Sequence, residues 1–87
     1  MPIIATFFGI LIRINFREHN PPHFHAEYQG YKAIFEIGTG KLLAGIFPAA
    51  ARRLVKEWTL QNKKELIKNW NLAQKKKPTE RITGGGF

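Results

Sequence analysis

The sequence predicts a small α+β domain, in which a short antiparallel sheet of three to four strands is followed by two C-terminal helices packed on one of its faces. Apolar residues recur at a period of two in the first half of the chain and at helical spacing in the second half. Strands therefore precede helices instead of alternating with them, which is typical of an antiparallel sheet covered on one face.

Length and composition indicate a single domain. The 87 residues are 44% hydrophobic, enough for one core, and they include no cysteine, so any metal site needs histidine and carboxylate ligands. The apolar start at residues 3–14 contains Arg13, is not preceded by a basic residue, and is shorter than the roughly 20 residues that span a bilayer. We expect a cytoplasmic protein without membrane association, with its domain at residues 1–77 and a flexible tail at residues 78–87.

The first strand is predicted at residues 5–16, where apolar side chains alternate along the chain. The alternating residues are Phe8, Ile10, Ile12, Ile14 and Phe16. This period of two indicates a strand with one buried face.

The second strand, at residues 23–28, follows an elbow at Pro21 and Pro22, because consecutive prolines fix φ and remove two backbone donors. Alternation along this strand separates a polar side from an apolar side. The polar side carries His23, His25 and Glu27, and the apolar side carries Phe24, Ala26 and Tyr28. We expect the helices to cover the apolar side and to leave the polar side open.

A two-residue connection at residues 29–30 predicts a hairpin to a third strand at residues 31–37, since its glycine tolerates the positive φ of a tight turn. This loop length fixes the register. A slip by one residue would mix the charged and aromatic cross-strand pairs, which favours the same register. The polar pairs predicted are Glu27 with Lys32, His25 with Ile34, and His23 with Glu36.

A short fourth strand is predicted at residues 41–47, and Pro48 suits the first turn of a helix. The helical apolar stripe comprises Ala51, Leu54, Val55 and Trp58, and it restarts with Leu66, Ile67, Trp70 and Ala73. The restart falls at Asn62, which is spaced with Glu65 as a capping box. Two helices, or one helix bent at residues 60–62, are expected, with both tryptophans in the core.

Positive charge is concentrated in the second half of the chain. The net charge is +8, of which residues 1–47 contribute +1 and residues 48–87 contribute +7. Clustered lysine and arginine favour an anionic partner, either nucleic acid or an acidic protein, although a solvated helix surface has the same composition. The candidate contact residues are Arg52, Arg53, Lys56, Lys63, Lys64 and Lys68.

The histidine-rich face fits three chemistries, and the residues alone leave all three open. The first is metal binding, because His23, His25 and Glu27 can direct two imidazoles and a carboxylate toward one divalent ion. The second needs no cofactor: one histidine takes a proton and another gives one, as in the cleavage of an RNA phosphodiester. Its candidate residues are His19, His23 and His25, with Arg13 and Arg17 holding the phosphate. The third is structural, with another subunit covering the face.

Residues 19–28 read His-Asn-Pro-Pro-His-Phe-His-Ala-Glu-Tyr, preceded by Phe-x-Gly-Ile-x-Ile-Arg and followed by Glu-Leu-x-x-Asn-Trp. This pattern resembles a small bacterial domain family that was long described only as a domain of unknown function. Members are labelled DhiT-like toxins of type II toxin–antitoxin modules, encoded beside a small antitoxin gene. The resemblance covers residues 1–73 and carries no catalytic residue onto this sequence.

The resemblance implies a toxin neutralised by a small antitoxin protein, and the charge and histidines favour nucleic acid as its target. A homo-oligomer is left open. Two alternatives also stay open: a non-catalytic binding or antitoxin-like module, and a metal-binding protein with histidine and glutamate ligands.

Overall fold

The computed structural model describes residues 3–82, and within this range five strands and two helices form an α+β unit. The elements are β1 (Ile3–Phe7), β2 (Ile10–Arg13), β3 (His23–Tyr28), β4 (Tyr31–Glu36), β5 (Leu42–Gly45), α1 (Ala49–Gln61) and α2 (Lys63–Gln74). The strands pair in chain order as an antiparallel meander. The α+β class is confirmed, while the predicted three to four strands become five.

The additional strand comes from the N-terminal segment, where residues 5–16 were predicted as one strand. The chain instead reverses at Phe8 and Gly9, which have φ values of 47° and 77°, and β1 pairs with β2 as a hairpin. The apolar alternation continues through this turn in the sequence, but Phe8 is 63% exposed at the turn. A regular pattern therefore concealed a chain reversal whose only local signal is one glycine.

The β3–β4 hairpin has the predicted register. Its described pairs are His23 with Glu36, Phe24 with Phe35, His25 with Ile34, Ala26 with Ala33, Glu27 with Lys32, and Tyr28 with Tyr31. The connection uses positive φ at Gln29 (47°) and Gly30 (84°), as a two-residue turn requires. This prediction is confirmed.

The hydrophobic core lies between the sheet and the helices. Phe24 stacks on Phe35, with ring centroids 5.8 Å apart, and meets Trp58 edge-on at the same distance. Trp58 is 2% exposed and Trp70 is 5% exposed, so both tryptophans belong to the core, as predicted. Neither helix within residues 3–82 has the length and apolarity needed to cross a bilayer.

The break between the two helices falls at Asn62, where the sequence predicted it. The predicted capping box does not form, because Asn62 makes no side-chain cap hydrogen bond to α2. Its Nδ2 donates instead to the carbonyl of Trp58, at 2.9 Å. Asn62 thus supports the end of α1.

Part of the predicted flexible tail lies against the domain. Buried Asn69 donates to the carbonyl of Glu80 at 2.9 Å and accepts from its backbone N–H at 2.7 Å. The N–H of Ile82, whose side chain is buried, donates to the carbonyl of Ile4 at 2.7 Å. The remainder of the predicted tail, residues 83–87, is outside the described residues.

Candidate functional site

The elbow places His23 at one end of the sheet. Nδ1 of His23 lies 2.8 Å from the carbonyl of Pro21, and the carbonyl of Pro22 accepts from the N–H of Ile37 at 3.0 Å. Because a ring nitrogen that donates to a carbonyl leaves the other nitrogen deprotonated in neutral imidazole, this contact directs the lone pair of Nε2 away from the elbow.

The polar side of β3 is covered at this end, contrary to the prediction that it would stay open. His23 is 8% exposed and its ring centroid lies 5.2 Å from that of Trp70, whereas His25 further along the strand is partly exposed. The reason is that the last turn of α2 lies beside the start of β3 and contacts the loop that precedes this strand.

Two hydrogen bonds attach this loop to α2. Nε2 of Gln74 donates to the carbonyl of Glu18 at 2.7 Å, and the N–H of Arg17 donates to the carbonyl of Ala73 at 3.4 Å. Glu18 is therefore positioned by the end of α2, although 56 residues separate it from Gln74.

The carboxylate of Glu18 lies between the two histidines of β3. Its Oε1 contacts Nε2 of His25, and its Oε2 lies 3.4 Å from Nε2 of His23. One ligand atom from each of these three residues lies within 4.8 Å of the others. We call Glu18, His23 and His25 the His–Glu cluster.

Asn15 adds a fourth polar side chain to the cluster. Its Nδ2 donates to Oε1 of Glu18 at 2.9 Å and lies 3.1 Å from Nε2 of His25. Its Oδ1 is buried and has no hydrogen-bond partner among the described residues.

The electrostatics of the cluster favour an ionised Glu18. Burial raises the pKa of Glu18, but this effect is outweighed by the hydrogen bond and charge of His25, the hydrogen bond from Asn15, and the charge of His23. The pKa of Glu18 consequently lies below its usual value of 4.5. The carboxylate is therefore available as an anionic ligand at neutral pH.

The other residues predicted for this face lie outside the cluster. Glu27, predicted as the carboxylate ligand beside His23 and His25, forms an ion pair with Arg13 instead. The alternation along β3 did place Glu27 on the side of His25, but the adjacent strand β2 presents a cation to it. Arg13 is thereby engaged by a carboxylate, whereas Arg17 and His19 are exposed.

Sequence reasoning missed Glu18 and Asn15. Glu18 lies in the connection between β2 and the elbow, where no periodicity fixes the direction of a side chain. The alternation predicted over residues 5–16 placed Asn15 on the polar side with Arg13, but nothing in the sequence marked it as a site residue. The available signal was Glu18 itself, the one carboxylate among residues 14–22, close in the chain to three histidines.

A shallow groove of about 240 Å³ runs along the open face of the sheet beside the cluster. Its lining side chains include Arg13, His25, Glu27, Lys32 and Ile34, so His25 belongs to both the groove and the cluster. A molecule bound in the groove would lie next to the cluster.

The six basic residues predicted to contact an anionic partner are all exposed on the helices. Arg52, Arg53 and Lys56 line a cleft between α1 and the turn before β5, while Lys64 and Lys68 line a separate groove on α2. Five of the six residues thus lie on two separate surfaces.

A family model with the description Domain of unknown function (DUF4160) matches residues 9–71, well over half of the chain. The chain belongs to this family. The matched part of the DUF4160 domain runs from the start of β2 into α2 and includes the whole His–Glu cluster and Asn15. No curated protein and no solved structure matches the chain.

The geometry of the His–Glu cluster in this DUF4160 domain can be compared with the chemistries that the sequence left open. Both nitrogens of His23 are directed at protein atoms, Nδ1 at Pro21 and Nε2 at Glu18. Nδ1 of His23 is held by the carbonyl of Pro21, so Nε2 is the nitrogen that remains to face an ion or a substrate. Three ligand atoms within 4.8 Å of one another, with a carbonyl behind one imidazole, are compatible with a metal site and its outer hydrogen bonds.

Proposed function

We propose that the domain binds one divalent metal ion through Glu18, His23 and His25. The observation that carries this proposal is the convergence of two imidazole Nε2 atoms on one carboxylate, with ligand atoms within 4.8 Å of each other. Two histidines and one carboxylate bind divalent transition metals in many proteins and leave coordination positions open for water or substrate. Glu18 replaces Glu27 as the carboxylate of the predicted set.

Metal titration with a matched histidine control tests the site. Chelator-treated protein is titrated with Mn²⁺ and Zn²⁺ by calorimetry, and wild type is expected to bind one ion. Loss of outer hydrogen-bond partners costs about 10–100-fold in metal affinity, so loss of a ligand in His25→Gln or Glu18→Gln should cost at least about 100-fold. His19→Gln makes the same chemical change at an exposed histidine outside the cluster and should bind as wild type does. Equal affinities in all four proteins would refute the proposal.

We propose further that this metal site serves a toxin of a bacterial type II toxin–antitoxin module, cytoplasmic and neutralised by a small antitoxin protein. The support is the resemblance carried by residues 19–28, which contain both histidine ligands. Induced expression should arrest bacterial growth, and co-expression of the adjacent gene should restore it. Glu18→Gln should be harmless while His19→Gln arrests growth. Normal growth with the wild-type chain would contradict the toxin assignment.

Nucleic acid is the target that the charge distribution favours. Four cations, Lys41, Arg52, Arg53 and Lys56, line the cleft of about 400 Å³ beside α1, and no lining residue is acidic. Arginine pairs can hold phosphate oxygens in bidentate fashion, and clustered cations attract a polyanion. The cleft is therefore a suitable surface for a phosphate backbone.

Two double variants with the same charge change test the cleft. Fluorescence anisotropy with a labelled single-stranded RNA should show weaker binding for Arg52→Gln with Arg53→Gln than for Lys63→Gln with Lys64→Gln on α2. The wild-type affinity should fall with salt by about 0.7 logarithmic units per logarithmic unit of salt for each phosphate contact. Salt-independent affinity, or equal losses in the two variants, would show that the cleft does not hold RNA.

A further inference from the structure

His25 cannot satisfy both of the polar atoms that lie against its Nε2. This nitrogen contacts Oε1 of Glu18 and lies 3.1 Å from Nδ2 of Asn15. A protonated Nε2 donates to the carboxylate but faces the N–H groups of the amide, whereas a deprotonated Nε2 accepts from the amide but faces a carboxylate oxygen. One contact is mismatched in either form.

Asn15 carries a second mismatch on its other side, where Oδ1 is buried without a hydrogen-bond donor in the described part of the chain. Rotation of the amide by half a turn exchanges the positions of its oxygen and nitrogen. Because the far side offers no donor to the oxygen, the atoms on the near side, Glu18 and His25, decide which orientation the amide takes.

We propose that Oδ1 of Asn15 is a fourth protein ligand of the divalent metal, an inference that rests on the proposed site at Glu18, His23 and His25. With a cation between these side chains, a deprotonated imidazole nitrogen, a carboxylate oxygen and an amide oxygen are all Lewis bases directed at one positive charge. The cation resolves the mismatch at His25 and gives the amide oxygen a partner, while the amide N–H groups take the buried position that Oδ1 held.

Three of the distances between the donor positions fall within the range for ligands of one metal ion, while the contact of Glu18 with His25 is shorter, so these two side chains must separate when an ion binds. The Nδ2 position of Asn15, which Oδ1 takes after rotation, lies 2.9 Å from Oε1 of Glu18 and 3.1 Å from Nε2 of His25. Oε2 of Glu18 lies 3.4 Å from Nε2 of His23. Adjacent ligands on one metal with bonds of about 2.0–2.2 Å are about 2.8–3.6 Å apart in octahedral or tetrahedral geometry.

The ligand set also selects a class of metal. Two imidazole nitrogens with two oxygens contain no soft donor, so the set suits a divalent first-row ion such as Fe²⁺, Mn²⁺ or Zn²⁺, of which Fe²⁺ and Mn²⁺ are commonly six-coordinate. Four protein ligands on a six-coordinate ion leave two positions open. Water or a phosphate oxygen of the substrate can occupy them, which is the arrangement that a metal-dependent reaction on nucleic acid requires.

Mn²⁺ binding by Asn15 variants tests the inference, with affinity measured by calorimetry and bound water measured by water-proton relaxation. Asn15→Ala should weaken Mn²⁺ affinity at least about tenfold, and a third water should replace the lost ligand, so that proton relaxation per bound Mn²⁺ rises. Asn15→Asp should keep the water number of wild type and bind at least as tightly, because it keeps an oxygen in the ligand position and adds a charge. Asn71→Ala, a change at an exposed asparagine on α2, is the control and should match wild type in both measurements.

The outcomes separate this inference from the metal site itself. Absence of Mn²⁺ binding in wild type refutes the site and with it the fourth ligand. Tight wild-type binding with an unchanged water number in Asn15→Ala refutes the fourth ligand alone, since Asn15 would then act only through Glu18. Circular dichroism shows whether Asn15→Ala folds. If it does not, Asn15→Asp is the deciding variant, and a Mn²⁺ affinity below that of wild type would overturn the inference.

Discussion

Glu18 depends for its position on atoms that are distant in the sequence. Its backbone carbonyl is held by the side chain of Gln74, and its carboxylate is held by His25 and by Asn15. The sequence could predict that the two histidines of the proposed site lie on a common side, because alternation along a strand fixes it. It could not predict Glu18, because a loop has no such period and its course here depends on where α2 ends.

The lowered pKa of Glu18 predicts a pH dependence of stability in the metal-free protein. Since the folded-state pKa lies below the usual value of 4.5, Glu18 stabilises the fold above that pH. This contribution is lost as the pH falls through the folded-state pKa. Urea denaturation in chelator between about pH 6 and pH 3 should show wild type more stable than Glu18→Gln at the upper end, with the difference in unfolding free energy shrinking below about pH 4.5. A difference that is constant over this range would contradict the assignment.

At the scale of elements, the sequence predicted the features of secondary structure that two independent local patterns indicated. The β3–β4 register followed from a two-residue loop together with compatible pairs on both faces, and the helix break followed from a restarted apolar stripe at Asn62. The β1–β2 hairpin was not predicted, because Phe8 occupies a turn position with positive φ, where an aromatic residue is uncommon. Tertiary packing of the flanking strands outweighs this local preference.

The pairing of β4 with β5 requires a glycine at position 45. Gly45 has a φ of 91°, and an added Cβ would lie 2.8 Å from the Cα of Ala33 in the adjacent strand. Gly45→Ala should therefore lower the unfolding free energy by at least about 2 kcal/mol, through strained φ and displaced backbone. Gly38→Ala is the matched control, because an added Cβ there meets nothing within 4 Å, and its effect should stay within about 1 kcal/mol. Equal stability of the two variants in urea would contradict this account.

Asn69 connects α2 to the segment at residues 80–82. It is 2% exposed, and its amide both donates to and accepts from the backbone of Glu80. Asn69→Leu should lower the unfolding free energy by about 1–3 kcal/mol, because it leaves backbone groups of the segment without partners. Hydrogen exchange should also show lost protection at the amide of Ile82, whereas exposed Asn71→Leu should preserve it. Retained protection in Asn69→Leu would show that other contacts hold the segment.

At the scale of the whole molecule, the proposed metal site joins the loop after β2, the start of β3 and, through Gln74, the end of α2. A ligand that binds only the folded state stabilises it by mass action, by about 2.7 kcal/mol at a concentration 100 times its dissociation constant. For a domain of this size each kcal/mol raises the melting temperature by about 4–8 °C. Mn²⁺ should therefore raise the melting temperature of wild type substantially and leave that of Glu18→Gln unchanged. A matching rise in both proteins would place the stabilising ion elsewhere.

The hydrogen bond from the N–H of Ile82 to the carbonyl of Ile4 makes the two edge strands of the sheet differ in how readily they can pair with another chain. The segment at residues 80–82 occupies part of the free side of β1, while no strand within residues 3–82 pairs with the outer side of β5. Exposed Leu43 and Ile46 lie in or beside β5. A chain that adds a strand to the sheet would therefore find a more open edge at β5 than at β1. Two copies joined in antiparallel fashion would cover both β5 edges, so that assembly through this edge alone closes at a dimer.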